Sequence, residues 1–342
     1  MTQETAAPTL PVLWAGADLA KASLELALWG HEELPRRKVR AFPRTQAAVP
    51  PILAWLKAQA PEGARIGLVV EATGPFAEEF ATWLLNVDPA FHIAIVNPFQ
   101  THAYVQSLGL RNKTDSLDAR ALAGFGQERN PKVWVRPSPA LAELKDLVRT
   151  RTDLVETRVA MRLRLKDHPR AAKGATMALD GVIQALTHEI ETLEGAIQAH
   201  LGQHEILGAQ VKRLTTIKSV GLITAVTILA ELGELCRFIR SRQLTAFAGL
   251  TPRTSQSGTS VHGKTRMCKQ GNARVRAVLY MAALSAVRFN PDLAETYARL
   301  IAKGHHWRSA LGAVMRKLLV LMRAVLKADH DWEPKVPTSK AV

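Results

Sequence analysis

The spacing of hydrophobic and polar positions changes twice along the chain. Up to about residue 135, short apolar runs alternate with amphipathic stretches. "ARIGLVVEA" and "FHIAIVNP" are continuous apolar runs with β-branched residues, typical of buried strands, and "PVLWAGADLA" and "SLELALWG" are strand-like runs that precede them. "GPFAEEFATWLLN" and "TDSLDARALAGFG" repeat apolar residues at helical spacing, and Thr114 is the expected N-cap of the second. This alternation predicts an α/β domain with a central mixed sheet over residues 10–135.

The strand pattern disappears over residues 136–205. Apolar residues recur there at alternating spacings of three and four, the a/d pattern of about three heptads, at Ile183, Leu186, Ile190, Leu193, Ile197 and Leu201. A turn is expected between Pro169 and Gly174. The pattern predicts a helical hairpin with a coiled-coil seam. Dimerisation would use such a seam, and packing of the two helices within one chain explains it equally well.

Residues 206–330 are predicted to be mainly helical, followed by a flexible tail at 331–342. "TTIKSVGLITAVTILAELG" predicts two helices joined by a turn at Gly221. It partly matches the helix-hairpin-helix pattern that grips DNA phosphates, with Ser219 at a position where glycine is usual, and a plain helical hairpin fits equally well. A helix ending at Gly249 and a glycine-punctuated loop are expected next, and Asn272 is the expected N-cap of the following helix.

Composition excludes several classes of protein. Of the 342 residues 47% are hydrophobic, which suffices for two or three cores and argues against wholesale disorder. The two cysteines, Cys236 and Cys268, lie far apart, which suggests a reducing compartment and disfavours a thiolate metal site. We find neither a secretory signal nor an uncharged apolar run of the roughly 18 residues that a membrane span needs. A cytoplasmic, nucleoid-associated protein without a membrane partner is expected.

Charge is distributed very unevenly. Residues 1–135 contain 13 basic and 13 acidic side chains, residues 136–205 contain 10 of each, and residues 206–342 contain 22 basic and 7 acidic ones. The whole net charge of +15 therefore lies in the last segment. Between Glu234 and Asp292 there are ten Lys or Arg and no acid. Such a field attracts polyanions, of which nucleic acid is the commonest. An anionic membrane is the alternative, and the lack of a clean amphipathic basic helix disfavours it.

Four acids in the first domain lie where a packed α/β domain does not need them. Asp18 interrupts the first strand, Glu71 ends a buried strand, and Asp115 and Asp118 share one helix face. Ligand sites in α/β sheets gather at the carboxyl ends of strands, and converging carboxylates suit Mg²⁺ or Mn²⁺. Each acid alone has an ordinary explanation as a turn residue or a helix-dipole partner. The set of four is what predicts a metal site.

Four motifs, "GADLAK", "VEATGPF", "NKTDSLDARALA" and "AGLTPRTSQSG", follow one another in this order. With them the chain resembles, from about residue 12 to 325, the DEDD transposases of bacterial insertion sequences, the IS one-ten (IS110) family. The resemblance implies an N-terminal ribonuclease-H-like domain of the RuvC type, a coiled-coil segment and a C-terminal transposase domain. It also implies that Asp18, Glu71, Asp115 and Asp118 bind a divalent metal.

The same resemblance implies that the serine before the last motif's glycine, Ser257, is a nucleophile. From the residues alone Ser255, Ser257 and Ser260 are equivalent, and all three could be ordinary loop residues. We expect the Ser257 hydroxyl to attack a DNA phosphodiester and form a covalent phosphoserine intermediate. Surrounding cations are the expected DNA- or RNA-binding residues: Arg253, Lys264, Arg266, Lys269, Arg274 and Arg276.

The activator of this serine is not adjacent in sequence. His262 lies five residues away, although a solvent-facing loop histidine is the simpler interpretation. The hypothesis is a composite site, in which metal held by the four acids lowers the pKa of the serine hydroxyl. Dimerisation or tetramerisation would allow the site to form between subunits.

Further partners follow only from the resemblance. It implies a structured noncoding RNA that pairs with donor and target DNA, so that base pairing rather than the protein selects the sequence. Two other functions stay open from the residues: a metal-dependent endonuclease that resolves Holliday junctions, and a nucleic-acid-binding protein without catalysis.

Overall fold

A computed structural model describes residues 12–28, 39–60, 64–109, 114–167, 172–253, 256–257, 261–262, 266–268 and 270–335. The chain separates into two compact units, residues 1–136 and 137–342, and each has its own hydrophobic core. No helix among the described residues is both long and apolar enough to cross a lipid bilayer.

The first unit is built on a five-stranded mixed sheet in the order β3-β2-β1-β4-β5. β1, β2 and β3 are antiparallel neighbours, whereas β4 and β5 run parallel to β1. The mixed sheet predicted from the sequence is confirmed, and its order is compatible with a ribonuclease-H-like domain. The strands are β1 Val12–Leu19, β2 Ser23–Leu28, β3 Val39–Pro43, β4 Arg65–Glu71 and β5 His92–Val96.

Helices cover both faces of this sheet, because strand side chains alternate between the two faces. Ala15 and Val70 lie in a cluster with residues of α1 and α2, whereas Trp14 and Val69 lie in a cluster with Leu122 of α4. Even-numbered positions of β1 and odd-numbered positions of β4 therefore face α4. The helices are α1 Val49–Gln59, α2 Phe76–Val87, α3 Pro98–Ser107 and α4 Asp115–Arg129.

α4 lies unusually close to β1. A Cβ atom built on Gly16 would lie 2.1 Å from the Ala119 carbonyl oxygen, and one built on Gly126 would lie 2.7 Å from Trp14 Cβ. α4 thus runs back along β1, and its first turn lies toward the carboxyl end of that strand. The predicted N-cap is confirmed, since the Thr114 hydroxyl accepts a hydrogen bond from the Leu117 amide at 3.3 Å.

The second unit is mainly helical, as the sequence predicts. Its helices are α5 Pro139–Asp167, α6 Lys173–Gln203, α7 Glu205–Thr215, α8 Leu222–Leu232, α9 Ser241–Phe247, α10 Ala273–Phe289, α11 Pro291–Ala302 and α12 Trp307–Ala328. α8 is buried over residues 225–232 and belongs to one core with α10 and α12. The predicted cap of α10 is confirmed, because the Asn272 side chain accepts from the Val275 amide at 3.1 Å.

α5 and α6 pack against each other, as expected of the predicted helical hairpin, and residues 168–171 of the predicted turn lie outside the described residues. Along the seam, Ile190 and Ile197 are buried, whereas Ile183 and Leu186 are half-buried. The seam is therefore used at least in part within the chain, one of the two explanations that the sequence allows.

Replacing Gly16 with alanine should destabilise the first unit by about 3 kcal/mol, because the added methyl group would force α4 away from β1. Chemical denaturation followed by circular dichroism measures the change. Gly181→Ala is the matched control, since Gly181 is an exposed residue of α6 and a methyl group added there would have no neighbouring atom within 4 Å. That control should stabilise by up to about 1 kcal/mol. An unchanged transition in Gly16→Ala would contradict the close packing of α4 on β1.

Candidate active site: a carboxylate edge and a serine ribbon

The predicted metal-binding acids Asp18, Glu71, Asp115 and Asp118 lie at one edge of the sheet, which we call the carboxylate edge. Ala17 of β1 pairs with Val70 of β4 in parallel register, so Asp18 and Glu71 occupy the next position on adjacent strands. Both strands end there, Asp18 one residue before the end of β1 and Glu71 at the end of β4. The register brings the first two acids together.

Asp18 and Glu71 also face the helix that carries the other two acids. Asp18 shares the face of Trp14, and Glu71 shares that of Val69, since strand residues two or four positions apart point the same way. That face packs on α4, whose first turn contains Asp115 and Asp118 and lies at the same end of β1. The fold thus directs four carboxylates to one edge and one face.

The chemistry of this donor set fits a divalent metal. Carboxylate oxygens are the ligands that Mg²⁺ and Mn²⁺ prefer. Asp18, Glu71 and Asp118 are half-buried, and Asp115 is exposed. No three of these four described acids bring an oxygen atom within 4.8 Å of one another.

A fifth acid, Glu25, lies beside the carboxylate edge. Glu25 of β2 pairs directly with Asp18, and its neighbours Leu24 and Leu26 belong to the core on the opposite face. Glu25 therefore points to the α4 side, next to Asp18. The alternating stretch "SLELAL" makes Glu25 look like an ordinary solvent-facing residue, because the pattern of one strand carries no information about its cross-strand neighbour.

The predicted nucleophile lies on a pair of short β-ladders, which we call the serine ribbon (described residues 252–253, 256–257, 261–262 and 266–267). Its outer ladder pairs β6 (Pro252–Arg253) with β9 (Arg266–Met267), and its inner ladder pairs β7 (Gln256–Ser257) with β8 (Val261–His262). Both ladders are antiparallel, and Ser257 pairs with Val261 in the inner ladder. The sequence predicted a loop here. That prediction was wrong, because two-residue strands are too short to show an alternating pattern.

The cationic residues predicted to bind nucleic acid fall into three groups. Arg253 is exposed on β6, and Arg266 lies opposite it on β9. Lys264 and Lys269 lie outside the described residues, as do Ser255 and Ser260. Arg274 and Arg276 both contact other residues of the second unit. Arg274 Nη2 lies 3.3 Å from Asp153 Oδ1 of α5, in a largely solvated ion pair.

Arg276 holds the base of the serine ribbon. Its Nη1 donates to the Gly271 carbonyl oxygen at 2.8 Å and more weakly to that of Ala248 at 3.4 Å. The chain crosses itself closely there, since a Cβ on Gly271 would lie 2.4 Å from the Gly249 nitrogen. Burial lowers the pKa of the Arg276 guanidinium below its ordinary value. The contacts of Arg276 thus fix the two ends of the ribbon to each other.

A buried glutamate, Glu231 of α8, anchors the helix that leaves the ribbon. Arg149 of α5 donates from Nε at 2.7 Å and from Nη2 at 2.9 Å to its two carboxylate oxygens, and Asn272 Nδ2 donates at 2.7 Å. The glutamate side chain is 1% exposed. Burial alone would raise the pKa of Glu231, but these hydrogen bonds and the charge of Arg149 outweigh it, so the pKa is lowered. No sequence pattern singles out this residue, because its partners lie 41 and 82 positions away.

Glu231→Gln should lower the free energy of unfolding by about 2 kcal/mol. This is less than the loss expected when one partner of a fully buried ion pair is removed, because the Arg149 side chain is 36% exposed. Since the folded-state pKa is depressed, the contribution is present above the ordinary glutamate pKa and lost as pH falls below it. Wild type should therefore lose more stability than the variant on acidification, as measured by urea denaturation across pH. The exposed Glu189 of α6 supplies the control, whose change to Gln should stay within about 0.5 kcal/mol. Parallel pH profiles for wild type and Glu231→Gln would contradict this account.

At one position, the turn between α7 and α8 adopts the backbone conformation that the helix-hairpin-helix pattern requires. Ser219, where glycine is usual, has φ of +85°, in the left-handed region that favours glycine. Its hydroxyl is buried without a hydrogen-bond partner among the described residues. The helix pair and its tight turn are confirmed, and contact with DNA there stays a prediction.

Two family models match the segments that contain the carboxylate edge and the serine ribbon. Residues 15–169 match the transposase family model for IS110-type DEDD enzymes, and residues 211–298 match the model described as "Transposase IS116/IS110/IS902 family". The first span contains the carboxylate edge, and the second contains the serine ribbon.

Sequence similarity to individual proteins extends along most of the chain. The pilin gene-inverting protein of Moraxella bovis is 28% identical over 325 residues, which are 94% of this chain and 98% of that protein. The transposase for insertion sequence element IS1111A of Coxiella burnetii is 26% identical over 304 residues, 80% of this chain and 77% of its own. A putative transposase of Sinorhizobium fredii is 34% identical over 191 residues, about half of each chain.

Proposed function

Because the chain belongs to the IS110 family of DEDD transposases, enzymes that cut and rejoin DNA, we propose that it recombines an insertion sequence through a covalent intermediate on Ser257. The observation that carries the proposal is the arrangement of the two matched regions. The strand register puts Asp18 and Glu71 at neighbouring positions, and Asp115 and Asp118 lie in the first turn of α4, at the same end of β1. Ser257 lies on a ribbon whose base is held by Arg276 and Glu231.

The proposed reaction exchanges one phosphoester for another. The Ser257 hydroxyl loses its proton and forms a bond to phosphorus, while the bond from phosphorus to the leaving strand breaks and its oxygen takes up a proton. The DNA is then esterified to Ser257, and the other fragment has a free hydroxyl. Because the phosphoester bond is conserved, a hydroxyl of another strand can displace the serine and reseal the DNA without ATP.

The carboxylate edge would hold the metal of this reaction. Asp18, Glu71, Asp115 and Asp118 supply oxygen ligands that suit Mg²⁺ or Mn²⁺. A bound divalent ion supplies positive charge that lowers the pKa of a hydroxyl and stabilises a phosphoryl group under attack. The chain's own part is to keep the four acids on one edge, through the strand register and the close approach of α4 to Gly16.

The serine ribbon would hold the scissile phosphate. Arg253 is exposed, so its guanidinium is accessible to a phosphate. Lys264, Arg266 and Lys269 belong to the same segment. We assign Arg276 to positioning the ribbon, since it donates to backbone carbonyls. Arg274 keeps a role in DNA binding, because a solvated ion pair such as that with Asp153 contributes about 1 kcal/mol at most and a phosphate can replace the carboxylate.

A structured noncoding RNA that pairs with donor and target DNA is the proposed source of sequence choice. Its support is the excess of 22 basic over 7 acidic residues in 206–342, enough for a large polyanionic load. A dimer or tetramer is also proposed. The outer part of the α5–α6 hairpin supports it, because apolar side chains stay exposed there in this chain: Val159, Leu163, Met177 and Val182.

Inversion of a DNA segment is a second proposed outcome of the same chemistry. The Moraxella relative, named for inverting a pilin gene, matches this chain over 98% of its own length. Strand exchange between two inversely oriented sites on one DNA molecule would invert the segment between them, whereas exchange between a circular molecule and a second molecule would insert one into the other. The arrangement of sites in the substrate, rather than the active site, would decide between these products.

A denaturing gel of DNA incubated with protein, candidate RNA and Mg²⁺ tests the proposal. A protein–DNA adduct that survives denaturation is the expected result. Cut DNA without an adduct would support instead a hydrolytic, junction-resolving nuclease. Intact DNA that only shifts on a native gel would support a nucleic-acid-binding protein without catalysis.

A further inference from the structure

Three potential metal ligands converge in the second unit, on elements that carry none of the four motif acids. Glu143 lies in the first turns of α5, His200 lies near the end of α6, and His204 follows α6 directly. One ligand atom of each lies within 4.8 Å of the other two, and the two imidazole rings are 4.5 Å apart between centroids. Among the described residues, no other group of three acids, histidines or cysteines is this close.

The hydrogen bond of His200 fixes which ring nitrogen is available. The side chain is 4% exposed, and its Nε2 lies 2.8 Å from the Ala140 carbonyl oxygen. Because a carbonyl oxygen can only accept, Nε2 must carry the hydrogen. In the neutral ring the lone pair is therefore on Nδ1, and this atom lies 3.6 Å from Glu143 Oε2.

A lone pair and a carboxylate oxygen at that distance repel each other unless a cation lies between them. His204 brings a third ligand atom within 4.8 Å of the other two. A divalent ion uses all three ligands at once. Histidines that bind metals typically donate their other ring N–H to a carbonyl or carboxylate, as His200 does to Ala140.

We propose that Glu143, His200 and His204 bind one divalent transition-metal ion of the Zn²⁺ class, with water as the fourth ligand. Two imidazoles and one carboxylate suit Zn²⁺ and its neighbours in the first transition row, whereas Mg²⁺ prefers oxygen ligands. The ion would tie the start of α5 to the junction of α6 and α7, and so clamp the base of the helical hairpin. This site does not depend on the proposed recombination chemistry.

Co²⁺ titration of the metal-free full-length protein tests the proposal. Co²⁺ in a four- or five-coordinate site with nitrogen ligands gives intense visible absorption, which hydrated Co²⁺ lacks. We expect one such ion per chain, displaced by Zn²⁺ and not by excess Mg²⁺, and a higher melting temperature with Zn²⁺ bound. Asp18→Asn should leave the spectrum unchanged, which separates this site from the carboxylate edge.

The exposed and half-buried ligands supply variants that should still fold. Glu143→Gln and His204→Gln are each expected to weaken Co²⁺ binding by more than about 100-fold, since even outer-shell partners contribute about 10–100-fold. His188→Gln is the matched control, an exposed histidine of α6. A spectrum of hydrated Co²⁺ in the wild type, or one that persists in both ligand variants, would overturn the proposal and leave His200 and Glu143 as an ordinary ion pair.

Discussion

Ser257→Ala is expected to abolish the covalent DNA adduct and to lower strand exchange by about 10⁶-fold, the order of magnitude seen when a nucleophile is removed from an enzyme that forms a covalent intermediate. Alanine lacks the oxygen that must bond to phosphorus. DNA binding should stay within a fewfold of wild type, because the cationic side chains are retained. Adduct yield on denaturing gels and affinity on native gels measure the two effects separately.

Two neighbouring serines serve as controls for that substitution. Ser255→Ala and Ser260→Ala should keep adduct formation, since the family resemblance implies that the serine before the motif's glycine, Ser257, is the nucleophile. All three variants remove one hydroxyl from the same basic segment, so they have nearly equal effects on charge and composition. An adduct of normal yield in Ser257→Ala, or its loss in Ser255→Ala alone, would show that the nucleophile is a different residue.

Asp18→Asn is expected to lower adduct formation and strand exchange by at least about 10³-fold. Asparagine keeps the shape of the side chain and removes the charge that would offset a divalent ion, so metal affinity falls while the sheet stays intact. Asp18 lies near the carboxyl end of β1, one residue after the last β1–β4 pair, and its side chain is half-buried rather than part of a core. Thermal unfolding should accordingly be little changed, and high Mn²⁺ should recover part of the activity.

Glu25→Gln is the sharpest control for Asp18→Asn, because Glu25 pairs with Asp18 across β1 and β2 and points to the same side. It removes the same charge from the same region without touching the four motif acids. Activity within a fewfold of wild type is expected. Equal losses in the two variants would mean that total negative charge, rather than the four acids, governs activity.

We expect the anchor at Glu231 to matter for function as well as for stability. The ribbon enters at Gly249 and leaves at Gly271, and the next residue, Asn272, both caps α10 and donates to Glu231. A nucleophile on a short hairpin needs such support, because two-residue ladders alone are too weak to fix an orientation. The catalytic roles of Ser257 and of the four acids stay predictions that the substitutions above test.

Local sequence determined the elements and their ends. The continuous runs that became β4 and β5 are apolar because both faces of those strands are covered by helices, and Thr114 and Asn272 cap helices with their own side chains. Each of these features depends on residues a few positions apart, which is why a pattern along the chain reveals them. The excess of positive charge after residue 205 is likewise a property of composition alone.

Only the tertiary structure decided which residues meet. The register of β1 against β2 and β4 placed Glu25 and Glu71 beside Asp18, and the hydrogen bonds of Glu231 and His200 join residues 41 to 82 positions apart. Arg276, predicted from its charge to bind nucleic acid, donates to two backbone carbonyls at the base of the ribbon, and its contact with DNA stays a prediction. Contacts of this kind arise from the packing of whole elements against one another. Their energies depend on burial and geometry that no local spacing encodes.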